Sequence, residues 1–318
     1  MGFGAAVIGN LYTAVDPDVA AKAVHAALRS GVRYFDTAPH YGLGLSEQRL
    51  GAGLAGFDRA GLLISTKVGR LLVDDPAGAN ERDAELFDVP ADKRRVLDYS
   101  RDGVLRSLEA SLDRLGADRI DVVYVHDPDE HYEEALRGAF PALTELRDQG
   151  VIGGFGAGMN SPAMLADFVR ETELDVVMLA GRYTLLDQAA LTELLPLCTE
   201  RGVSMVAAGV FNSGLLALDR PGSAATYDYA PAPEQIVQRA NRIADVCLRH
   251  GVSLPQAAVQ FPRNHPAVAT VCLGARTAQE VERNAALFDR PVPLECWQEL
   301  VAEGLLAAEV PMPTGANA

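Results

Sequence analysis

The chain has 318 residues, 48% of them hydrophobic, and a formal net charge of -15. That length suits one large domain or two. The excess of carboxylates disfavours nucleic acid and anionic membrane surfaces as partners, because both repel an acidic protein. No apolar run is long enough to cross a bilayer and no basic residue precedes Lys22, so we expect a cytoplasmic protein.

Short apolar runs alternate with helical patterns from one end of the chain to the other. Strands are predicted at 3–8, 32–36, 61–67, 120–126, 151–156, 175–179, 203–208 and 268–273. Helices are predicted at 17–30, 45–55, 101–116, 133–149, 162–172, 188–201, 233–250 and 277–288. Eight strand–helix units are typical of an α/β fold of the (β/α)8 TIM barrel type. We expect a single domain over residues 1–318, with a flexible tail at 311–318.

Two connections, residues 70–99 and 211–233, are too long to be simple turns. Long loops at the carboxyl-end face of a barrel usually shape a substrate pocket or cover it. Surface decoration without a function is the alternative. We expect the first loop, which carries many charged residues, to lie at the mouth of the barrel.

Titratable side chains stand where three predicted strands end. Asp36 ends one strand and Tyr41 follows it in a loop broken by Pro39 and Gly42, while Lys67 and His126 end two later strands. In a (β/α)8 barrel the carboxyl ends of the strands form the catalytic face. Asp36, Tyr41, Lys67 and His126 are therefore predicted to share one site.

These four residue types suit proton transfer to or from an alcohol oxygen. A phenol titrates near a pKa of about 10. An ammonium beside Tyr41 favours the phenolate, and a carboxylate keeps that ammonium charged. Asp36, Lys67 and Tyr41 then form an acid/base relay, and His126 binds the substrate oxygen while a hydride moves at carbon. A Schiff-base role for Lys67, or separate structural roles for each residue, are the alternatives.

A GxGxxG string at residues 51–56 could cradle a pyrophosphate if it followed a strand and opened a helix. Here it closes a predicted helix and precedes a strand. We interpret it as a helix end and a turn.

The segment 126–131 contains two histidines and three carboxylates, which could ligate a metal ion. Metal-dependent barrel hydrolases generally need a His-x-His pair at an early strand end, and the early strands offer none. The four cysteines also lack metal-ligand spacing. We therefore predict no metal, and structural or substrate-contacting roles for Asp127, Asp129 and His131.

With these motifs in place, the chain resembles the aldo-keto reductase superfamily over nearly its whole length. The matching segments are 35–42, 46–47, 65–67 and 123–126. The family's catalytic tetrad falls on Asp36, Tyr41, Lys67 and His126. The resemblance implies a (β/α)8 barrel that binds NAD(H) or NADP(H) across its carboxyl-end face, without a Rossmann domain.

The resemblance also extends to a cofactor segment at residues 274–284. It implies that Gly274 and Arg276 lie near the adenosine phosphate or ribose, that Asn284 contacts adenine, and that Asn160 holds the carboxamide. Glu280 stands where many NADP-using relatives have Arg or Gln. A carboxylate repels a 2′-phosphate but accepts a hydrogen bond from a 2′-hydroxyl, so NAD is favoured over NADP. A surface ion pair between Arg276 and Glu280 is the alternative.

Finer features resemble one branch, the aldose 1-dehydrogenases of the L-fucose and D-threo-aldose type together with pyridoxal 4-dehydrogenase. They are residues 9–12, 126–129, 156–160, 180–187 and 211–216. The branch implies NAD-dependent oxidation of a cyclic hemiacetal hydroxyl to a lactone, with Tyr41 taking the proton from the C1 hydroxyl. Polar residues near the mouth would bind the sugar or pyridoxal-like small molecule: Asn10, His40, Asp127, Arg182 and Asn212.

Three hypotheses about function remain open at this point. The first is a dehydrogenase acting on an aldose or on pyridoxal, and the second is an NADPH-dependent aldehyde or ketone reductase. The third is a nucleotide-sensing binding subunit, against which the intact tetrad argues. The oligomeric state is left open.

Overall fold

A computed structural model describes residues 1–313, so most of the predicted tail at 311–318 lies outside the described residues. The strands are β1 (Gly2–Gly4), β2 (Tyr34–Asp36), β3 (Leu63–Val68), β4 (Arg70–Asp74), β5 (Lys93–Leu97), β6 (Val122–His126), β7 (Gly154–Met159), β8 (Val176–Ala180), β9 (Ser204–Ala208), β10 (Thr226–Tyr227), β11 (Ala230–Pro231) and β12 (Val268–Gly274). Eight of them close a barrel in the order β1-β12-β9-β8-β7-β6-β3-β2. Strand β1 pairs in parallel with both β12 and β2, which closes the ring. The predicted (β/α)8 barrel is confirmed.

The helices are α1 (Pro17–Arg29), α2 (Leu45–Leu54), α3 (Arg101–Leu115), α4 (Tyr132–Glu134), α5 (Phe140–Asp148), α6 (Pro162–Glu171), α7 (Leu194–Arg201), α8 (Glu234–Arg249), α9 (Leu254–Gln260), α10 (Ala278–Asp289) and α11 (Leu294–Ala302). A π-helical turn at Ala135–Ala139 joins α4 to α5. The helix predicted at 133–149 is therefore continuous and contains a π-bulge. No helix in residues 1–313 is long and apolar enough to cross a bilayer.

Two helices and two hairpins were not predicted from the sequence. Helix α9 is buried on every side, so it shows no amphipathic period. Helix α11 was missed as well. Strands β4 and β5 form an antiparallel hairpin inside the long 70–99 loop, and β10 pairs with β11 inside the second long loop. The β5 sequence KRRVL is typical of a polar loop, and the pairing of Arg95 with Asp83 forms only in the tertiary structure.

The first predicted strand was wrong beyond Gly4. Val7–Gly9 forms a 3-10 turn instead, and Gly9 approaches the loop that follows β2. A Cβ at Gly42 would lie 2.2 Å from the Gly9 oxygen, and Gly42 has a φ of +62°. Only glycine satisfies both the left-handed conformation and the close backbone contact. This crossing fixes the loop that carries Tyr41.

The chain divides into two compact units. One comprises Met1–Met159, Glu171–Val177 and Cys272–Arg283, and the other comprises the remaining segments. In the first unit the rings of Phe3 and Phe35 pack 6.0 Å apart. The core of the second unit includes buried aromatic rings, with Tyr183 and Phe261 5.0 Å apart. The single-domain organisation stays a prediction.

The GxGxxG string lies where a helix ends, as predicted. Gly51 and Gly53 belong to α2, and β3 follows this segment. A Cβ at Gly51 would lie 2.1 Å from the Leu115 oxygen, so this glycine allows α2 to pack closely on α3. The glycine pattern therefore serves helix packing.

A buried ion pair joins α2 to α3. Glu47 is fully buried, and its Oε2 accepts a hydrogen bond from Arg114 Nε at 2.6 Å. Its other oxygen accepts one from Thr66 Oγ1 at 2.7 Å. A carboxylate in this position is stable only while its partners remain, because the lone charge has no solvent to replace them.

We predict that Arg114→Met lowers the free energy of unfolding by about 3 kcal/mol, because it leaves the Glu47 carboxylate buried and unpaired. The matched control is Arg106→Met on the same helix, where the guanidinium is 63% exposed and pairs with Asp98. Loss of an exposed pair costs about 1 kcal/mol or less. Urea unfolding measures both variants, and equal losses would contradict the buried-pair argument.

Candidate active site

The first member of the candidate site is a buried ion pair between two barrel strands. Asp36 ends β2 and Lys67 lies in β3, and their side chains are 5% and 2% exposed. Lys67 Nζ donates to Asp36 Oδ2 at 2.7 Å, to Oδ1 at 2.9 Å and to the Thr37 carbonyl at 2.9 Å. All three ammonium hydrogens therefore have an acceptor nearby, which is what a buried charge requires.

The pKa of Lys67 reflects this arrangement. Burial lowers the pKa of Lys67, but the Asp36 carboxylate and the Tyr41 hydroxyl raise it by more. The pKa of Lys67 is therefore higher than its usual value. The Lys67 side chain therefore stays an ammonium at neutral pH. That is the charge state that the sequence argument required.

Tyr41 follows β2 in a short loop, next to Lys67. Lys67 Nζ lies 4.8 Å from the centre of the Tyr41 ring. Hydrogen bonds from Thr37 Oγ1 to Ser46 Oγ, at 2.8 Å, and from Ser46 Oγ to the Ala5 carbonyl, at 2.8 Å, brace this loop. The loop conformation is thus set by contacts that the local sequence does not reveal.

The expected phenolate of Tyr41 needs a correction. Burial raises the pKa of Tyr41 above its usual value, and the lowering by Lys67 does not outweigh it. In the ligand-free protein the side chain is therefore a neutral phenol. A phenol hydrogen-bonded beside an ammonium can still give or take a proton during reaction.

Two histidines face Tyr41. His126 ends β6, and its ring lies 5.8 Å from the Tyr41 ring and perpendicular to it. The His40 ring lies 5.5 Å from that of His126 and 6.0 Å from that of Tyr41. The structure thus brings the four predicted tetrad side chains together, with His40 beside them.

Both histidines are neutral. Burial, followed by nearby cations, lowers the pKa of His126 well below its usual range and that of His40 to about 3. Among the described residues, the buried Nδ1 atoms of both rings have no hydrogen-bond partner. A neutral imidazole offers one donor and one acceptor, so each ring can still bind a polar group.

Asp127 follows His126 in the chain and has a strained backbone conformation, with a φ of 41°. Its Oδ2 lies 3.5 Å from His126 Nε2 and accepts a hydrogen bond from Arg70 Nη2 at 3.1 Å. Burial raises the pKa of Asp127, against the opposing effect of Arg70. The Tyr99 hydroxyl donates to the carbonyls of His126 and Asp127, at 2.9 and 3.1 Å, and so fixes the turn. Strained non-glycine residues of this kind cluster at functional sites.

The long 70–99 loop forms one wall of this site. The Phe87 ring packs 5.3 Å from His40 and 6.0 Å from Tyr41. Arg95 Nη2 donates to the His40 carbonyl at 2.9 Å. Arg95 also makes a two-pronged pair with Asp83, whose side chain is 6% exposed. The loop is therefore anchored to the tetrad by both apolar and ionic contacts.

Sequence reasoning missed the charged members of this wall. Glu85 carries an exposed carboxylate whose oxygens lie 3.7 Å from His40 Nδ1, 3.8 Å from Arg70 Nη1 and 4.0 Å from Arg95 Nη1. The available signal was the density of carboxylates and arginines in a loop predicted to lie at the mouth. It did not say which of them pair.

The side chain of Asn10, a predicted substrate-binding residue, hydrogen-bonds other groups of the protein. Its Nδ2 donates to the Asp88 carbonyl at 3.1 Å, and its Oδ1 accepts from Val15 N at 2.9 Å and from Arg49 at 2.7 Å. Little hydrogen-bonding capacity is left for a sugar. Its role in substrate binding stays a prediction, and the structure gives it a role in joining the amino-terminal segment to the 70–99 loop.

Arg182 and Asn212, which were predicted to bind substrate, belong to the second unit. Arg182 Nη1 donates to Asp228 Oδ1 at 2.8 Å. Asn212 Nδ2 donates to the Gly181 carbonyl at 3.2 Å, while its buried Oδ1 has no partner among the described residues. Asn160, which follows β7, is exposed and also belongs to this unit.

The predicted cofactor segment opens helix α10. Thr277 Oγ1 accepts a hydrogen bond from Glu280 N at 3.2 Å, and Glu280 Oε2 accepts one from Arg276 N at 2.7 Å. The Arg276 guanidinium donates to the Leu11 carbonyl at 2.9 Å rather than to Glu280. Gly274, at the end of β12, is exposed, whereas Asn284 is buried on α10.

This segment fits one end of a nicotinamide dinucleotide. A helix amino terminus favours an anion, and Arg276 keeps guanidinium hydrogens beyond the one that bonds Leu11. Glu280 is exposed, with one carboxylate oxygen outside its bond to Arg276 N. The set thus combines donors for a phosphate with an acceptor for a hydroxyl.

No group of three or more His, Cys, Asp or Glu side chains in residues 1–313 is placed to hold a metal ion. His131 pairs with Glu134 and stacks on Tyr99, with ring centres 5.3 Å apart. These contacts give His131 a structural role in this part of the chain.

Comparison with known proteins agrees with this geometry. A family model described as the aldo/keto reductase family matches residues 1–302. The chain is 44% identical to a D-threo-aldose 1-dehydrogenase from Pseudomonas sp over 96% of this chain and 94% of that protein. It is 43% identical to a pyridoxal 4-dehydrogenase from Microbacterium luteolum, with the same coverage of both chains.

Solved structures show the same fold. An aldo-keto reductase from Bacillus halodurans, in its holo form, superposes with a TM-score of 0.73 at 25% identity, covering 97% of this chain and 92% of that one. A glycerol dehydrogenase from Gluconobacter oxydans gives a TM-score of 0.72 at 21% identity, covering 100% of this chain and 94% of that one. The barrel, the tetrad-like cluster and the match over residues 1–302 lead to one conclusion: the chain belongs to the aldo/keto reductase family.

Proposed function

We propose that this NAD(P)-dependent oxidoreductase oxidises the C1 hemiacetal hydroxyl of an aldose to the lactone, with NAD as the preferred cofactor. The observation that carries the proposal is the charged wall beside Tyr41. His40, Arg70, Asp127 and Glu85 offer donors and acceptors within a few ångströms of one another. A polyol can satisfy such groups, whereas a simple apolar aldehyde leaves them unpaired.

Tyr41 is the proposed acid/base. As the hydride leaves C1, Tyr41 takes the proton of the C1 hydroxyl, and the Lys67 ammonium stabilises the phenolate form that accepts it. Asp36 holds Lys67 charged and in place through two hydrogen bonds. His126, as a neutral imidazole, orients the reacting oxygen. The nicotinamide, when bound, supplies the hydride acceptor.

Asp127 and Arg70 are proposed to position the substrate and His126 together. The Asp127 carboxylate lies between the Arg70 guanidinium and His126 Nε2. It can accept a hydrogen bond from a sugar hydroxyl without losing Arg70. His40 is proposed to contact a second hydroxyl, with Phe87 closing that side.

The proposed preference for NAD rests on Glu280. Its exposed carboxylate stands at the start of α10, where a 2′-phosphate would meet a like charge and a 2′-hydroxyl would find an acceptor. Arg276 contributes a positive charge beside it, so NADP is disfavoured rather than excluded.

Pyridoxal is a second candidate substrate, since a relative with 43% identity over 96% of this chain carries that activity in its name. The tetrad chemistry is the same for a pyridoxal hemiacetal. Turnover is measured as reduced nicotinamide formed from NAD or NADP with L-fucose, D-arabinose, L-galactose, L-xylose and pyridoxal. Turnover of pyridoxal alone would identify pyridoxal rather than an aldose as the substrate. Activity confined to NADPH-driven aldehyde reduction would overturn the proposal.

We predict that Tyr41→Phe lowers kcat by at least about 100-fold, because it removes the proton-transferring hydroxyl. Cofactor affinity should change little. The matched control is Tyr132→Phe, which removes a hydroxyl that donates to Glu171 on the surface. Initial rates and isothermal titration measure both, and wild-type turnover by the Tyr41 variant would disprove the acid/base assignment.

We predict that kcat/KM for oxidation rises with pH into the alkaline range. Tyr41 must lose its proton to act as a base, and its pKa is raised. No inflection from the histidines is expected near neutrality, since the pKa of His40 is about 3 and that of His126 is also far below its usual range. A pH–rate profile that is flat, or that titrates between about 6 and 7 as an ordinary histidine would, contradicts this.

We predict that Glu280→Gln strengthens NADP binding about fivefold relative to NAD, because removing one exposed like charge is worth about 1 kcal/mol. The matched control, Glu282→Gln, removes a carboxylate of the same helix that lies 4.0 Å from Arg29. Calorimetric dissociation constants for both cofactors decide the outcome. Equal shifts in the two variants would remove Glu280 as the source of the preference.

A further inference from the structure

The carboxylate of Glu85 faces three hydrogen-bond donors of the site without bonding to any of them. Its oxygens lie 3.7 Å from His40 Nδ1, 3.8 Å from Arg70 Nη1 and 4.0 Å from Arg95 Nη1. Hydrogen bonds from nitrogen to oxygen are shorter than about 3.2 Å, so these contacts are electrostatic only. The proposed reaction gives Glu85 no proton to move, and its position among three donors calls for an explanation.

The two guanidinium groups are held in place by other carboxylates. Arg95 makes its two-pronged pair with Asp83 at 2.6 and 2.9 Å. Arg70 donates to Asp127 Oδ2 at 3.1 Å. The side chains of Arg95 and Arg70 are 8% and 19% exposed, whereas that of Glu85 is 51% exposed. The guanidinium groups therefore keep their positions without Glu85, which is the loosely held member of the group.

These donors also have hydrogens to spare. His40 Nδ1 is buried and has no hydrogen-bond partner among the described residues. Arg70 bonds Asp127 through Nη2, so the two hydrogens of its Nη1 are not needed for that pair. The Nη1 of Arg95 also carries two hydrogens, and one suffices for its bond to Asp83. An anion at this position would therefore find several donors.

The balance of charge shows what Glu85 does there. Arg70 and Arg95 are each already paired with one carboxylate, so Glu85 adds a third carboxylate to two guanidinium groups. Burial is the largest cause of the low pKa of His40, and three nearby cations lower it further, although Glu85 lies 3.7 Å away. The donors thus favour an anion, but a ligand anion that entered beside Glu85 would meet a like charge.

Neighbouring residues of the loop place this charge next to the site. Tyr12 N donates to the Leu86 carbonyl at 2.7 Å, which anchors the backbone beside Glu85. Phe87 packs against His40, with ring centres 5.3 Å apart. The His40 ring in turn lies 6.0 Å from that of the acid/base tyrosine. Charges interact over about 8 Å in physiological salt, so a ligand at the tyrosine experiences the field of Glu85.

The proposed reaction leads to an anion that resembles its substrate. An aldose and its lactone are both neutral. Water opens the lactone ring to a hydroxy acid, which loses one proton and becomes an aldonate. The aldonate keeps the hydroxyl groups of the substrate, so a site that recognised only hydroxyl groups would bind it as an inhibitor.

We propose that Glu85 fills a carboxylate subsite whose donors are these two guanidinium groups and His40. Glu85 is thereby a specificity-determining residue, because it admits neutral sugars and rejects aldonates and other anionic sugars. The inference rests on the proposed function for the class of ligand. The subsite itself rests on the positions of its donors.

The test compares two ligands that share a carbon chain and differ in charge, D-arabinonate and D-arabinitol. Ligand-observed NMR titrations of the whole enzyme with saturating NADH give both dissociation constants, and neither needs turnover. The wild type should bind arabinitol more tightly than arabinonate. Glu85→Gln should lower the ratio of the arabinonate constant to the arabinitol constant about fivefold, the effect of removing one exposed like charge. Using the ratio cancels any change in the binding of hydroxyl groups.

The matched control is Glu81→Gln, which removes an exposed carboxylate of the same loop and changes the net charge equally. Its ratio should equal that of the wild type. A double variant, Glu85→Gln with Arg70→Gln, removes one donor of the subsite together with the carboxylate that fills it. The gain in arabinonate affinity should then be lost.

An unchanged ratio in Glu85→Gln would overturn the subsite, and so would a wild type that prefers arabinonate. Equal falls in the Glu81 and Glu85 variants would also overturn it, because net charge alone would then explain the effect. A gain that survives in the double variant would place the anion elsewhere. If the double variant does not fold, the two single variants decide.

The same titrations separate this inference from the proposed function. Normal binding of arabinitol with an unchanged ratio in Glu85→Gln would remove the subsite alone. Binding of neither ligand by the wild type would overturn the proposed polyol site together with the subsite.

Discussion

The rest of the site depends on the ion pair between Lys67 and Asp36 in the barrel interior. Two charges that are almost fully removed from water lose their hydration, and only close mutual contact with full hydrogen bonding compensates for it. The pair meets that condition through the Thr37 carbonyl and Ser65 Oγ. Because Thr37 begins the Tyr41 loop, the same contacts that stabilise the charges also set the position of the phenol.

The field of this cluster also determines the state of the histidines. Burial is the larger cause of their low pKa values, and Lys67, Arg70 and Arg95 add to it. A neutral imidazole can donate a hydrogen bond to a reacting oxygen without adding a positive charge beside Lys67. Arg70 and Arg95, which pair with Asp127 and Asp83, thus help to keep His126 and His40 neutral.

The 70–99 loop shows how charges replace an apolar core at the barrel mouth. Its fully buried apolar cluster consists only of Phe87, Val89 and Leu43, against which Leu72 of the β4–β5 hairpin packs while partly exposed. The Arg95–Asp83 pair and the bond from Arg95 to the His40 carbonyl supply the remaining anchorage. A wall built in this way presents polar groups to a substrate, which apolar packing could not do.

The sequence by itself determined the eight strand–helix units and the residues at the strand ends. Both follow from local rules, since strand periodicity is read along the chain and a barrel places every carboxyl end on one face. The strand ends therefore predict that Asp36, Tyr41, Lys67 and His126 lie together. Only the tertiary structure decided which arginine pairs with which carboxylate, that Phe87 and Glu85 line the site, and that Tyr41 is a neutral phenol in the free protein. These depend on distances between segments far apart in the chain and on the exclusion of water, and no local pattern encodes either.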